Sequence, residues 1–331
     1  MTARFLASAM LIASLFGSTL LAQTAPLRQR CQQEADAFLL STPQGLQHRQ
    51  TQAVLAAIEG SSQALQAVRQ SRSTKPELLP GVEVREVGST LTLYRPAKAE
   101  GPLPLLIYLH GGGWAFGSRN SCARYCMAMA AQGVAVLAVE YPLAPEQPFP
   151  AALDACCQAF SLAQQQAVAW GVDPTRISLG GDSAGGNLSL ATALRMPKMG
   201  ISSLVLFYPV VRSYADSTES WLRYASGYGL DAELMDAFNL AYAAGRERHP
   251  LISPAHASDE ALQLLPPVLL VAAEHDILYS QGHSFAQRLS SLGVETAYQV
   301  IPGTVHLFIT VPGQPTAFAE AVERSSLFLK R

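Results

Sequence analysis

The stretch RISLGGDSAGGNLSLA, residues 176–191, begins as an apolar strand, passes through a glycine-rich corner and continues as a potential helix. Within it, Gly181, Ser183 and Gly185 form the pattern Gly-x-Ser-x-Gly. On a tight strand-to-helix turn the serine points outward, and the flanking glycines let neighbouring backbone pass without a Cβ clash. The pattern predicts an exposed nucleophile at a helix N-terminus, where partial positive charge favours developing negative charge. Taken alone, it is equally compatible with a plain glycine-rich turn.

The sequence on both sides of this corner alternates apolar runs with helical stretches. Uninterrupted apolar runs indicate strands covered on both faces, which is typical of a mostly parallel sheet. Before them, VEVREVGSTLTLYRP (82–96) alternates apolar and polar residues around a turn and predicts an antiparallel hairpin. With 331 residues, of which 49% are hydrophobic, the chain can bury a large core. We therefore expect an α/β fold, with a mostly parallel central sheet flanked by helices.

Two segments depart from this alternation. Residues 30–75 are rich in Gln, Ala and Leu and predict helices, whereas residues 212–252 combine aromatic and polar side chains and interrupt the core strands. We predict one domain over residues 23–331, with a small helical cap contributed by about 23–78 and about 212–252.

The first 22 residues have the layout of a secretory signal peptide: one early arginine, an apolar stretch from Phe5 to about Leu21, and small residues at its end. Cleavage is expected between Ala22 and Gln23. The alternative is an uncleaved membrane anchor, because roughly 18 apolar residues can just span a bilayer. We expect an exported protein, periplasmic or secreted, without a stable membrane span after cleavage.

Charge and cysteine content exclude several classes. Lys and Arg total 23 against 25 Asp and Glu, and no basic run interleaved with aromatic residues occurs, so nucleic acid is not an expected partner. No zinc-binding spacing is present, and no metal or other cofactor is expected. The cysteines are interpreted as small buried side chains, with any disulfide pairing left open: Cys31, Cys122, Cys126, Cys156 and Cys157.

A serine nucleophile needs a base, and the base needs a carboxylate to orient it. On this architecture both follow the serine in the chain, each after a late strand. PPVLLVAAEHDIL (266–278) carries Asp276 at its strand end, and TAYQVIPGTVHLF (296–308) carries His306. We predict His306 as general base and Asp276 as the acid, with Glu274 as the alternative acid.

Acyl transfer also needs hydrogen-bond donors for a tetrahedral oxyanion, and backbone amides supply them without reorganisation. The segment YLHGGGWAFGS (108–118) follows an apolar strand, and its Gly112 and Gly113 amides are expected to join that of Ala184. His110 and Gly111 are expected to support this loop, as Gly181 and Gly185 support the serine turn. A phosphate-binding loop is excluded, because neither glycine cluster has the required spacing.

Five segments together carry a specific resemblance: HGGGWAFGS, VEYPLAPEQPFPAALDA, GGDSAGGNLSLATAL, EHDIL and HLF. In their order and separation, over about residues 80–331, the chain resembles the hormone-sensitive lipase family of bacterial carboxylesterases. This resemblance implies an α/β-hydrolase core with a helical cap, a Ser183/His306/Asp276 triad and an oxyanion hole at Gly112, Gly113 and Ala184. It further implies hydrolysis of short-chain acyl esters, acetyl esters among them, through an acyl-enzyme.

Some positions depart from the family pattern: Pro142 stands where Arg is common, Ser280 where a second Asp is common, and Leu307 where Gly often follows the histidine. They leave the triad intact but affect any dimer or substrate preference drawn by analogy. The expected partner is a small-molecule ester, with an acetylated saccharide and a homodimer as candidates. The candidate pocket residues are Trp114, Phe116 and Tyr208.

Two other functions stay open. The same triad can serve amide, peptide or lactone hydrolysis. A hydrolase fold can also persist as a non-catalytic binding protein, although such a protein would be expected to lose the nucleophile or the base, and both are present here.

Overall fold

The computed structural model describes residues 25–74 and 77–331; the predicted signal peptide at 1–22 lies outside them. The sheet contains β1 (Val82–Val87), β2 (Leu91–Pro96), β3 (Leu103–Leu109), β4 (Ala135–Val139), β5 (Val172–Asp182), β6 (Leu204–Phe207), β7 (Val268–His275) and β8 (Thr296–Val305).

The helices are α1 (25–41), α2 (Leu46–Ile58), α3 (Gln63–Arg72), α4 (Ala123–Ala131), α5 (Ala151–Gln166), α6 (Ala184–Arg195), α7 (Glu219–Arg223), α8 (Ala232–Ala243), α9 (Asp259–Leu262), α10 (Tyr279–Ser291) and α11 (Pro315–Leu329).

The strands form one sheet in the order β1-β2-β4-β3-β5-β6-β7-β8. The hairpin β1–β2 is antiparallel, and β2 also pairs antiparallel with β4. From β4 to the β8 edge, every neighbouring pair is parallel. The predicted hairpin and the mostly parallel α/β sheet are both confirmed.

Side chains of each central strand alternate between two hydrophobic cores, one on either face of the sheet. In β3, Leu105 and Ile107 belong to one core, whereas Leu106 and Tyr108 belong to the other. Helices α5, α6 and α10 contribute to the first core, and α4 and α11 to the second. Coverage on both faces explains why these strands read as uninterrupted apolar runs.

Because the parallel strands run in one direction, the segments after β3, β5, β7 and β8 meet at the same edge of the sheet. These segments carry the glycine loop, Ser183, Asp276 and His306. Strand direction alone therefore brings together residues separated by almost 200 positions.

The segments predicted as a cap are helical. Residues 25–72 contain α1 to α3, and the insertion at 212–252 contains α7 and α8. The two segments meet where Asp231, at the start of α8, donates its backbone N–H to Gln47 Oε1 on α2 at 2.7 Å. The boundaries of the cap stay a prediction.

The structure also bears on the expected membrane spans and cysteines. Within residues 25–74 and 77–331, no helix is both long and apolar enough to cross a bilayer. All five cysteines are free; Cys157 is partly exposed and the other four are buried.

Candidate active site

Ser183 occupies a strained turn between β5, which ends at Asp182, and α6, which begins at Ala184. Its φ of 54° and ψ of −117° lie outside the regions that non-glycine residues ordinarily adopt. The serine N–H donates to the Phe207 carbonyl at 2.9 Å, which fixes the turn against β6. Such backbone strain in non-glycine residues concentrates at functional sites.

The glycines beside Ser183 are required by close backbone contact. A Cβ atom on either Gly181 or Gly185 would overlap the Leu109 carbonyl oxygen, and one on Gly185 would also lie 2.7 Å from the His110 carbonyl oxygen. The serine turn and the end of β3 therefore pack at a distance that only glycine allows. This contact places the glycine loop beside the serine.

His306 and Asp276 form a buried pair: His306 Nδ1 lies 2.5 Å from Asp276 Oδ2, and their side chains are 2% and 1% exposed. The second carboxylate oxygen of Asp276 accepts the Leu278 N–H at 2.9 Å. Ser183 and His306 line the same cavity, but their side chains are not hydrogen-bonded to each other. Catalytic hydrogen bonds are often long without substrate and shorten when it binds.

Glu274, the alternative acid, has other partners. It accepts two hydrogen bonds from the Arg28 guanidinium, at 2.7 and 2.8 Å, and one from the Gly303 N–H at 2.6 Å. Burial opposes ionisation of Glu274, but the hydrogen bonds from Arg28 and Gly303 outweigh it and lower the pKa of this carboxyl. Its role is to anchor α1 to the end of β7.

The glycine loop after β3 contains backbone N–H groups that make no hydrogen bond to the described part of the chain. The Gly111 N–H donates to Asp182 Oδ1 at 3.1 Å and is therefore occupied. Gly112 and Gly113 follow with φ angles of 118° and 59°. The backbone N–H groups of Gly112, Gly113 and Ala184 donate no hydrogen bond to any of the described residues. These are the three donors predicted for an oxyanion hole.

His110 packs against this loop and hydrogen-bonds to it. Its Nδ1 lies 2.9 Å from the Gly111 carbonyl oxygen, and its ring stacks on Tyr141 at 4.1 Å between centroids. The Tyr141 hydroxyl donates to the His110 carbonyl at 2.5 Å. Burial lowers the pKa of His110 to about 4, so the imidazole is neutral at pH 7 and its Nδ1–H is the donor to Gly111.

Asp182 is a site residue that sequence reasoning missed. One carboxylate oxygen accepts from Tyr108 Oη at 2.9 Å and from Gly111 N, while the other accepts from Thr310 Oγ1 at 2.7 Å. A single buried carboxylate thus joins the serine turn, the glycine loop and the segment after His306. The available signal was the aspartate in GGDSAGG, directly before the serine.

The cavity beside Ser183 has a volume of about 700 Å³ and is lined partly by residues of α1, α2 and α8. Phe116 lines it, as predicted from the sequence. Trp114 and Tyr208 do not, which corrects the expectation for these two. Trp114 stacks on Tyr242 at 4.4 Å between centroids, and Tyr208 packs against the His306 ring at 4.3 Å. Tyr208 therefore packs behind His306, which lines the cavity, whereas Tyr242, the stacking partner of Trp114, does not line it.

Comparison with known proteins identifies the family of this chain. The family model described as alpha/beta hydrolase fold matches residues 106–310. The chain is 36% identical over 293 residues to the carboxylesterase NlhH of Mycobacterium tuberculosis, covering 83% of this chain and 90% of that protein. It is also 36% identical over 233 residues to an ethyl acetate hydrolase of Pseudomonas putida, covering 66% and 70%.

Solved structures give the same result. A thermostable esterase of Pseudomonas putida superposes with a TM-score of 0.73 and 25% identity, covering 90% of this chain and 94% of that one. A hyperthermophilic esterase of Pyrobaculum calidifontis gives a TM-score of 0.72 and 29% identity, covering 83% and 96%. The chain therefore belongs to the alpha/beta hydrolase family, and within it to the hormone-sensitive-lipase type that its motifs indicate.

Proposed function

We propose that this protein is a carboxylic ester hydrolase that uses Ser183 as nucleophile, His306 as general base and Asp276 as the orienting acid. The observation that carries the proposal is the 2.5 Å His306–Asp276 pair, buried beside the cavity that Ser183 also lines. The esterase names of its relatives support the same reaction class.

In the first half-reaction, Ser183 Oγ attacks the ester carbonyl while His306 Nε2 takes its proton. The carbonyl oxygen becomes negative and accepts hydrogen bonds from the unused amides of Gly112, Gly113 and Ala184. The tetrahedral intermediate then collapses, the ester C–O bond breaks, and His306 returns the proton to the departing alcohol.

In the second half-reaction, water attacks the acyl-enzyme while His306 takes one of its protons, and collapse releases the acid and restores Ser183. Asp276 accepts the hydrogen bond from His306 Nδ1–H throughout, which fixes the tautomer and stabilises the imidazolium. The N-terminus of α6, directly behind Ser183, adds a favourable dipole for the negative oxygen.

The aromatic residues beside the oxyanion loop favour short acyl chains. Phe116 and Phe238 meet edge to face at 4.9 Å, and a Cβ atom on Gly113 would overlap the Phe238 ring. Both rings line the cavity. We propose that they limit the acyl chain, in keeping with the name of the related ethyl acetate hydrolase of Pseudomonas putida.

The decisive experiment is hydrolysis of p-nitrophenyl esters from acetate to decanoate, with Ser183→Ala alongside. Wild type should act best on short chains, and the variant should lose turnover on the order of a millionfold. Phe238→Ala should move the optimum towards longer chains. Equal, background-level rates for folded wild type and Ser183→Ala would refute the proposal.

Matched amide and lactone substrates separate the alternative reactions of the same triad. Inactivity on all of them, with binding retained, would instead indicate a non-catalytic binding protein. Export of the chain, an acetylated saccharide as substrate and a homodimer stay predictions. Export is tested by N-terminal sequencing of the mature protein, where a first residue of Gln23 is expected.

A further inference from the structure

The last residue of α3, Arg72, is held beside the active-site cavity by its backbone. Its carbonyl oxygen accepts a hydrogen bond from Ser121 Oγ at 3.0 Å, and that of Ser73 accepts one from Asn120 Nδ2 at 2.9 Å. Ser121 and Asn120 follow the glycine loop in the chain. The end of α3 is thus fixed to the segment that carries the oxyanion donors.

The Arg72 guanidinium lines the cavity and lies over the Phe116 ring, with Cζ 5.1 Å from the ring centroid. Among the described residues, it has neither a hydrogen bond nor a carboxylate partner within 4 Å. Burial lowers its pKa. Contact with an aromatic face offsets part of the cost of desolvation but uses none of the five N–H donors.

Arg69, one helical turn before Arg72, is an arginine whose guanidinium is held by hydrogen bonds to the protein. Its guanidinium donates to both carboxylate oxygens of Glu146 at 2.8 Å and to the carbonyls of Ala115 and Ala144 at 2.9 and 2.8 Å. Four of its five N–H donors are therefore used. The contrast indicates that the donors of Arg72 are reserved for a ligand.

A second polar side chain in the cavity also lacks a protein partner. Gln50 on α2 is only 4% exposed and lines the cavity, yet no residue in the described ranges hydrogen-bonds its carboxamide. The polar atoms of this carboxamide are not themselves fully buried, so they are open to the cavity and can hydrogen-bond a polar ligand there.

The acidic residues of the cavity are occupied. Asp231 Oδ1 accepts the Gly227 N–H at 2.8 Å, and Glu233 faces His48 at 3.4 Å, with both of those side chains more than half exposed. Arg72 is the one arginine or lysine that lines the cavity, and no carboxylate of the described residues pairs with it. Asp231 has a neutral N–H as its partner, so the described cavity residues offer a carboxylate ligand one cationic group, that of Arg72.

We propose that the preferred substrates are esters carrying a carboxylate remote from the scissile bond, and that the Arg72 guanidinium binds this carboxylate. Guanidinium and carboxylate form paired, charge-assisted hydrogen bonds, which fix orientation as well as adding affinity. This inference rests on the proposed esterase function and adds the substrate class.

The test compares two pairs of esters that differ only in the remote charge. On the acyl side these are mono-p-nitrophenyl glutarate and p-nitrophenyl pentanoate, and on the alcohol side 4-(acetoxymethyl)benzoate and benzyl acetate. Each is assayed with wild type, Arg72→Gln, Arg72→Lys and Arg85→Gln; Arg85 is exposed on β1 and serves as the charge-matched control.

The carboxylate can sit on the acyl side or on the alcohol side, so the effect is expected in one of the two ester pairs. In that pair, Arg72→Gln should lower the ratio of kcat/KM for the anionic ester to kcat/KM for the neutral ester by about tenfold or more, mainly by raising KM for the anionic ester. Arg72→Lys should fall between, and Arg85→Gln should match wild type. Identical ratios in wild type and Arg72→Gln, with neutral esters still hydrolysed through Ser183, would overturn the inference and leave the esterase function standing.

Should Arg72→Gln fail to fold, wild type alone decides the question. Glutarate or 4-(hydroxymethyl)benzoate should then inhibit neutral-ester hydrolysis competitively, whereas pentanol and benzyl alcohol should inhibit more weakly. Equal inhibition by charged and neutral compounds would contradict a carboxylate site. Absence of Ser183-dependent hydrolysis of any ester would refute the proposed function together with the inference.

Discussion

Thr310 Oγ1 donates a hydrogen bond of 2.7 Å to Asp182 Oδ2, joining the segment after His306 to the residue directly before Ser183. The other oxygen of Asp182 accepts from Tyr108 and from the Gly111 N–H. The Ser183 turn, the segment after His306 and the glycine loop are therefore connected through one carboxylate, which is 1% exposed. Relative placement of these three parts depends on an acceptor that is not itself a member of the triad.

Replacing this carboxylate should weaken the whole site. In Asp182→Asn, one oxygen becomes an NH₂ group that cannot accept, so at least one buried donor loses its partner at a cost of about 1–3 kcal/mol. We expect kcat to fall more than KM rises, because binding groups stay in place while the oxyanion loop shifts. Steady-state kinetics and urea unfolding measure both effects.

Thr310→Val is the matched control, since it removes one of the three hydrogen bonds and keeps the side-chain shape. Its loss of kcat and of stability should be smaller than that of Asp182→Asn. Wild-type values of kcat and unfolding free energy in Asp182→Asn would contradict a positioning role.

The identity of the acid is tested by a pair of neighbouring substitutions. Asp276→Asn replaces the carboxylate that faces His306 with a neutral amide, which no longer fixes the imidazole tautomer or stabilises the imidazolium. It should lower kcat by roughly 10⁴-fold, the scale of such a change in serine hydrolases. Glu274→Gln removes only the charge that faces Arg28 and should retain near-wild-type kcat. Assay of both on a short p-nitrophenyl ester distinguishes them, and the reverse order of effects would assign the acid to Glu274.

Two glycine substitutions test the close packing beneath Ser183. Gly185→Ala places a methyl group against the Leu109 backbone and should destabilise the fold by about 3 kcal/mol or more, since overpacking of rigid backbone is poorly relieved. Gly133→Ala has open space but a φ of +81°, which should cost only about 1–2 kcal/mol. Urea-unfolding midpoints compare the two. Gly185 has an ordinary helical φ, so a loss no larger than that of Gly133→Ala would contradict the close contact with Leu109.

Acid should destabilise the protein through His110. Its folded pKa is lowered to about 4 by burial, so between pH 6.5 and 4 the unfolded chain binds more protons at this residue than the folded one. Stability therefore falls as the pH drops through this window, by up to about 3 kcal/mol from this group. His110→Asn keeps an amide donor for Gly111 and should flatten this part of the stability profile.

Other histidines with lowered pKa values, His256 and His275, titrate in wild type and variant alike. The difference between the two profiles therefore isolates His110. Parallel profiles between pH 4 and 6.5 would indicate that the buried imidazole does not control acid stability.

The outline of the fold and of the site follows from the sequence, because both rest on local patterns. Apolar runs indicate strands covered on both faces, and Gly181 and Gly185 indicate a turn at Ser183 with close backbone contact at the two flanking positions. Strand direction then implies that Asp276 and His306 reach the same edge of the sheet. These inferences need only periodicity, backbone sterics and chain order.

Contacts between side chains that are distant in the chain were decided by the tertiary structure alone. Trp114 directly follows the glycine loop and Tyr208 directly follows β6, so both stand at strand ends in the sequence. Packing turns Tyr208 against the His306 ring and Trp114 against Tyr242. Arg69 and Arg72 are one helical turn apart. Only the fold gives Arg69 acceptors for four of its five N–H donors and leaves Arg72 beside the cavity without one among the described residues. Local sequence patterns predict which helices and strands form, whereas the partner of a long polar side chain depends on which distant elements pack beside it.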